Sequence, residues 1–449
     1  MKHTIRDQIE IQIQTIERLD PMINAFTAKT FDRARQEATQ ADQLINSGVK
    51  VSPLCGVAYG VKNLFDVQGV TTVAGSKILA NAPAAKSDAV LVERLQKAGA
   101  IMLGCLNMDE FAYGFTTENT HYGPTRNPHR LTCIAGGSSG GSGASVAAGM
   151  LPLSLGSDTN GSIRVPSSLC GVWGIKPTFG RLSRRGSYPF VNSIDHLGLF
   201  ANSVELLSSS YDAVQGPDPL DPGCVAASIH ETQASLQQGI KGLRIGVLGG
   251  YFSENSSEAA QASVELVAKA LGATEIVTWP DAHLARAAAF VTTASEGGVL
   301  HLTELKRQAQ NFEPLSVDRF LAGALQPVEW YLKAQRFRRA YREKVNDLFR
   351  DWDILLCPAT PVSTIEIGTD WLVINGQQLP ARAAMGLLTQ PISYAGSPVV
   401  AAPVWPDSAQ GLPLGVQVIA PPWREDLALR VAYFLERSGV CQVKPANLK

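Results

Sequence analysis

Apolar runs of strand length recur along this chain, and helix-forming stretches separate them. "GLRIGVLGG", "WDILLCPATP", "SPVVAAPVW" and "LPLGVQVIA" each read as a buried strand. "DAVLVERLQKAGAIMLGCLNM" reads as a helix, a stop at Gly99 and one more short buried strand. In "TIRDQIEIQIQTIERL" the residues Ile5, Ile9, Ile13 and Ile16 fall near one helical face. "TFDRARQEATQADQLINSG" is a second helix with a glycine-containing stop, and "REDLALRVAYFLERSG" is a last one. Strands that are apolar along their whole length need cover on both faces. The expected fold class is therefore α/β, a sheet with helices on both sides.

The 449 residues are ample for a large core, and 45% apolar with 18% charged residues is the balance of a soluble globular protein. A formal net charge of −1 carries no basic footprint, so no direct nucleic-acid partner is expected. The N-terminal stretch alternates apolar and charged residues, which is not a secretory signal. No run of about 18 apolar residues occurs, so no membrane span is expected. The seven cysteines are odd in number, widely spaced and without C-x-x-C, as in a chain kept reduced in the cytoplasm. No H-E-x-x-H occurs, and neither a metal nor another cofactor is expected.

"AVQGPDPLDPGC" is rich in proline and glycine and is the best boundary between a core and an insertion. From there to about Arg350 glycine thins out and helix formers increase. Length alone suggests two or three domains, yet large α/β enzymes often carry one continuous sheet. The expected organisation is a single domain over 1–449. N-terminal helices occupy 1–60, a core 61–215, a mostly helical elaboration 216–350, and closing strands with a last helix 351–449.

"GGSSGGSG", Gly136 to Gly143, allows several readings. A flexible linker needs polar, uncommitted flanks, and "ASVAAGMLPLSLG" after it is small and apolar. Neither the Walker A pattern nor G-x-G-x-x-G fits, although glycines before a helix still bind anions. Gly136–Gly140 does satisfy G-x-S-x-G, the nucleophile elbow, with "TCIA" as a strand before it and Ser138 as nucleophile. The histidines that follow, His196, His230, His283 and His301, have no context typical of a base. A tight turn without chemistry explains the motif equally well.

The longer stretch from Gly136 to Gly186, "GGSSGGSGASVAAGMLPLSLGSDTNGSIRVPSSLCGVWGIKPTFGRLSRRG", resembles the signature of the amidase signature family. "CGVAYGVKNLFDVQGVTTVAGS" resembles its lysine segment, and "PISYAGSPVVAAPV" with "LPLGVQVIAPPWREDLALRVA" resembles its closing strands and helix. The resemblance covers nearly the whole chain. It implies a central mixed, twisted sheet flanked by helices and an amidohydrolase with a Ser–cis-Ser–Lys triad. Ser162 is then the nucleophile, Ser138 the bridging serine after a cis Gly137–Ser138 bond, and Lys62 the base. The backbones of Thr159, Asn160, Gly161 and Ser162 are the oxyanion donors, and Ser139, Asp158 and Arg164 orient the triad and loop.

The chemistry is consistent. A serine hydroxyl needs a base to take its proton, and a lysine serves when burial keeps it neutral. Lys62 sits among Val57, Tyr59, Val61, Leu64 and Phe65. Family members usually have glycine where this chain has Asn160, a residue that tolerates left-handed backbone and has a side chain able to face a substrate.

Within the family, the motif around Asn160 and "NMDEFAYGFTTENTHYGPTRNP" are most similar to enzymes of cyanuric acid breakdown, which act on small anionic ureido amides. The alternative is the ammonia-releasing A subunit of a glutamyl-tRNA amidotransferase or another small-amide amidase. Arg338 falls where amidotransferase relatives hold a carboxylate, and Tyr113 and Arg185 are further substrate-binding candidates. The resemblance also implies a homo-oligomer and a small helical accessory subunit.

Overall fold

The computed structural model describes residues 4–448. Its centre is a mixed sheet of eleven strands. In chain order these are β1 (Phe26–Lys29), β2 (Ala58–Lys62), β3 (Ile101–Leu106), β4 (Leu153–Asp158), β5 (Trp173–Lys176) and β6 (His196–Ala201). They continue with β7 (Ile245–Leu248), β8 (Ile276–Val277), β9 (Ile354–Pro358), β10 (Val399–Val404) and β11 (Leu414–Ile419). Across the sheet the order is β1-β3-β2-β4-β6-β5-β10-β11-β9-β7-β8. β2 runs parallel to both β3 and β4, and β7 parallel to β9 and β8; the remaining pairs are antiparallel.

The whole-length apolar strands are buried as their composition requires, β3, β9, β10 and β11 at every position. Alternate residues of β3 feed two separate cores, Ile101 and Leu103 one side and Met102 the other. The first core is closed by helix Ile5–Ile23, through Ile9, Ile13 and Ile16, and by Ala34 and Ala38 of helix Phe31–Asn46. Thr4 starts the first helix with a reciprocal capping box: its hydroxyl accepts from Asp7 N–H, and the Asp7 carboxylate accepts from Thr4 N–H. Helix Glu425–Arg437 packs in the second core.

Two features depart from the pattern reading. β1, "FTAK", is short and only partly buried, so neither period nor apolar content marks it; it is held by antiparallel pairing to β3. Segment 216–350 is largely helical, as expected; it donates β7, the strand read in "GLRIGVLGG", and also the two-residue β8, which no pattern marked, to one edge of the sheet. "TCI" does form a strand, Arg130–Ile134, but it pairs with Arg126–Asn127 outside the main sheet. A nucleophile elbow needs a strand of the main sheet there. Among the described residues no helix is long and apolar enough to cross a membrane.

Ile16 is 0% exposed and Ile11, on the same helix, 53%. Ile16→Ala is expected to cost about 2–5 kcal/mol and Ile11→Ala within about 0.5, read by urea denaturation. Equal losses at both sites are the contrary result.

Candidate active site

β2 and β4 are parallel neighbours in the register Tyr59↔Leu153 and Val61↔Leu155. Their carboxyl ends therefore bring Lys62 beside Ser157, at the edge where open α/β sheets place ligands. Lys62 Nζ lies 2.6 Å from Ser138 Oγ and 2.9 Å from Ser157 Oγ and donates to both. The side chain is fully buried, and among the described residues no carboxylate lies in ion-pair range of it. Burial pulls its pKa down to about 7, against the opposing pull of Asp109, Asp158 and Asp195. Lys176 is equally buried and also brought down to about 7, by burial and then by Arg164, but it donates to the carbonyls of Pro177 and Ser397. Of these two lysines only Lys62 meets serine hydroxyls.

The Gly137–Ser138 peptide bond is cis. A Cβ on Gly137 would collide with Asp109 Oδ2 and sit 2.6 Å from Thr116 N, so only glycine lets the loop approach. Asp109 holds this loop: its N–H donates to Ser138 O, and its carboxylate accepts from Thr117 N–H and from Arg382. Ser139 Oγ donates to the carbonyl of Ser157, tying the serine loop to β4.

After β4 the chain turns sharply into helix Arg164–Cys170. The buried Asp158 carboxylate accepts from Arg164 Nε (3.0 Å) and Nη2 (2.9 Å) and from Ile163 N–H (3.2 Å). Burial alone would raise the Asp158 pKa, but Arg164 outweighs it and holds the carboxyl well below its usual range. The other Arg164 N–H groups donate to Thr389 O, Gln417 Oε1 and Ser393 Oγ, so all five are used.

Between these anchors lie Thr159 to Ser162. Thr159 Oγ1 donates to Asp195 (2.6 Å), and Thr389 Oγ1 donates to the carbonyl of Asn160 (2.6 Å). Gly161 has φ +140°, and a Cβ there would collide with Thr389 Oγ1. Asn160 has no left-handed backbone to accommodate; that conformation falls on Gly161. Its Nδ2 donates to Thr293 and its Oδ1 is buried without a partner. Among the described residues the N–H groups of Thr159, Asn160, Gly161 and Ser162 donate to no protein acceptor, and Ser162 Oγ makes no hydrogen bond. Four consecutive unbonded amides are an uncommon cost unless a ligand oxygen takes them.

Ser162, Thr159 and Asn160 line one cavity with Tyr113, Phe190, Thr293, Arg319 and Gln390. A second cavity adjoins it across Ala112, Thr159 and Phe190 and includes Ser157, Asp195, Arg184 and Arg185. Tyr113 is thus brought to Ser162, whereas Arg185 sits next door, paired with Asp218 at 2.9 Å. Arg338 does not line either cavity: it faces a separate groove, donates to Tyr394 O and packs on the rings of Phe179 and Tyr394. Among the described residues no histidine lines these cavities; His196, for one, is fixed to the carbonyl of Asp158. Pattern reading did not single out Asp109, Ser157, Asp195, Thr389 or Arg319; all but Ser157, which precedes Asp158 on β4, meet the site only through long-range packing.

Residues 7–429 match the Amidase family. The chain belongs to the amidase family. Its similarity to the AtzE subunit of 1-carboxybiuret hydrolase from Pseudomonas sp. (strain ADP) is 64% identity over 439 residues, 98% of this chain and 96% of that one. It is 36% identical to the A subunit of glutamyl-tRNA(Gln) amidotransferase from Bacillus velezensis, over 97% of this chain and 94% of the relative. Among solved structures, an s-triazine catabolic enzyme in a vestigial protein complex superposes with TM-score 0.98 at 64% identity, covering 99% of this chain and 97% of that one. The A subunit of glutamyl-tRNA(Gln) amidotransferase from Thermotoga maritima superposes with TM-score 0.83 at 27% identity, covering 99% and 95%. This amidase is thus a hydrolase acting on amide bonds, and its sheet with helices on both faces is the family architecture.

In this amidase Arg164→Met leaves the Asp158 carboxylate buried without its cation. Urea denaturation is expected to show a loss of about 3–5 kcal/mol. Removing the exposed Lys333–Glu329 pair by Lys333→Met is expected to cost at most about 1 kcal/mol. A loss at Arg164 no larger than at Lys333 contradicts the assigned role of the buried pair.

Proposed function

We propose that this amidase hydrolyses a small anionic ureido amide, 1-carboxybiuret above all, through an acyl-enzyme on Ser162. The carrying observation is Lys62: a buried amine, among the described residues without a carboxylate partner, 2.6 Å from the hydroxyl of Ser138. Neutral Lys62 takes a proton from Ser138 as Ser138 takes one from Ser162. The Ser162 oxygen attacks the terminal amide carbon, and the amides of Thr159 to Ser162 receive the oxyanion. Collapse breaks the C–N bond, and the proton returns through Ser138 to the leaving nitrogen, which departs as ammonia. Water then enters by the same relay, releasing a urea dicarboxylate and free Ser162. Asp158 and Arg164 hold the loop, with Ser139 tying Ser138 to β4.

The substrate rests on the 64% identical relative, against 36% for the amidotransferase relative. The same likeness supports a protein partner, because the 64% identical solved structure is a protein complex. Free thiols at all seven cysteines suit a cytoplasmic protein.

Ser162→Ala and Lys62→Ala are each expected to lower kcat by roughly 10³-fold or more with unchanged circular dichroism. Lys62→Arg is expected to be as inactive, since a guanidinium stays protonated. A folded Lys62→Ala enzyme with near-normal turnover rules the relay out.

The base works only when neutral, and its folded pKa is depressed to about 7. Below that pH the working form is lost, so kcat/KM is expected to fall about tenfold per pH unit. A flat profile from pH 5 to 8 contradicts Lys62 as base. Ammonia release by the isolated chain from 1-carboxybiuret, and little from glutamine, separates the proposed substrate from the amidotransferase reading; the reverse preference favours the latter.

A further inference from the structure

Gln390 begins the short helix Gln390–Ala395, one residue after the threonine that bonds the Asn160 carbonyl. It is 2% exposed and lines the cavity of Ser162. Its backbone N–H donates to the carbonyl of Gly386, but among the described residues its side-chain amide has no hydrogen-bond partner. Oε1 is sealed in protein without a donor, whereas Nε2 is unbonded and not sealed. On the same cavity Asn160 Oδ1 is also buried without a donor.

Buried amides that hold the fold together look different. Gln417 accepts from Arg164 and donates to the carbonyls of Pro358 and Leu388. Asn107 donates to the carbonyl of Gly123 and accepts from Met108 N–H. Asn119 donates to the carbonyls of Gly75 and Met108 and accepts from the N–H groups of His121 and Tyr122. Among the described residues Gln390 is the one buried Asn or Gln side chain with neither polar atom bonded. Leaving an amide in that state is costly, and a methionine of the same length would fill the place without the cost. A ligand that brings its own N–H and C=O groups into the cavity removes it.

We infer that the Gln390 side-chain amide is the subsite for the ureido group of the substrate. The assignment rests on the amide-hydrolase reading above and names the residue that separates ureido amides from amides of plain aliphatic acids. A primary amide carries two N–H donors and one acceptor oxygen, and half a turn about the Cγ–Cδ bond exchanges them. A ureido chain alternates N–H with C=O, so it meets the amide with a complementary group in either setting. The contact is neutral: it reads the chain beside the scissile carbonyl and not the charge at the far end. A hydrocarbon chain leaves the buried amide unbonded, and a site with an unpaired polar group rejects such an analogue more strongly than an apolar wall does.

The experiment measures, by titration calorimetry, the affinities of two anions of equal length, ureidoacetate and pentanoate. Both end in a carboxylate; pentanoate has methylene and methyl groups where ureidoacetate has its N–H, C=O and NH2. The wild-type enzyme is expected to favour ureidoacetate, and Gln390→Met to shrink the ratio of affinities by about 5- to 30-fold. Gln390→Asn, which keeps the amide on a shorter stem, is expected to shrink it by less. Both ligands meet the same preparation, so a partly misfolded variant lowers the binding stoichiometry for both and leaves the ratio alone. An unchanged ratio in Gln390→Met overturns the assignment, as does a wild-type enzyme that binds the two anions equally or binds neither. Turnover of 1-carboxybiuret by the wild type tests the substrate reading apart from this. A shifted ratio without turnover leaves a ureido-binding site and removes that substrate, and turnover with an unchanged ratio does the reverse.

Discussion

The buried pair of Asp158 and Arg164 is the interaction on which the site depends. Asp158 ends β4, and Arg164 opens the helix that follows. Four of the five residues between them, Thr159 to Ser162, carry every group placed around the proposed oxyanion. A buried ion pair is a poor source of stability, because two desolvated charges recover little more than they lose. Its value here is geometric. All five guanidinium N–H groups are bonded, and they reach Thr389, Ser393 and Gln417 from the closing third of the chain. A loop set by a fully satisfied network has one arrangement, and unbonded amides hold their direction only if the loop cannot relax around them.

The serine loop depends on a different constraint, the absence of side chains. Gly137 faces the Asp109 carboxylate, Gly140 the Thr117 hydroxyl and Gly141 the Ala25 carbonyl, each closer than a Cβ permits. Asp109 then does two things at once. It bonds the loop through Ser138 O and draws in Arg382 as counter-charge. That leaves Lys62 bonded to two serine hydroxyls and, among the described residues, outside ion-pair range of any carboxylate, which is the electrostatic condition for a lysine base.

The segment over 216–350 is more than a cover. It adds two strands to the sheet edge and brings Thr293, Phe290 and Arg319 over the loop after β4. Thr293 takes up the Asn160 amide that would otherwise project into the cavity. The loop after β4 is thus framed from one side by the strand ends of the core and from the other by helices of the insertion.

The elements with strong periodicity were legible in the sequence, because burial on one face or both leaves a mark on local composition. Helix Ile5–Ile23 and strands β9, β10 and β11 are of this kind. β1 was not, being short and half-exposed, with pairing that depends on β3 alone. Residue types for the proposed relay were legible too. Lys62, Ser138 and Ser162 stand in motifs long enough to point to a family. The glycines beside Ser138 are present in the sequence, but the reason for them, other segments packed where a Cβ would stand, is not. What spacing alone does not carry is direction across the fold. Arg319 and Arg338 both lie in helical, charge-bearing stretches, and nothing nearby says which one turns toward Ser162. Packing of the insertion against Tyr113 decided it for Arg319, while Tyr394 and Phe179 hold Arg338 in another groove. The sequence by itself determined the local elements, the glycines and the kinds of reactive group. Only the tertiary structure decided which charges are neutralised and bonded, because that depends on partners hundreds of residues apart, as for Arg164 with Gln417 and Asp109 with Arg382.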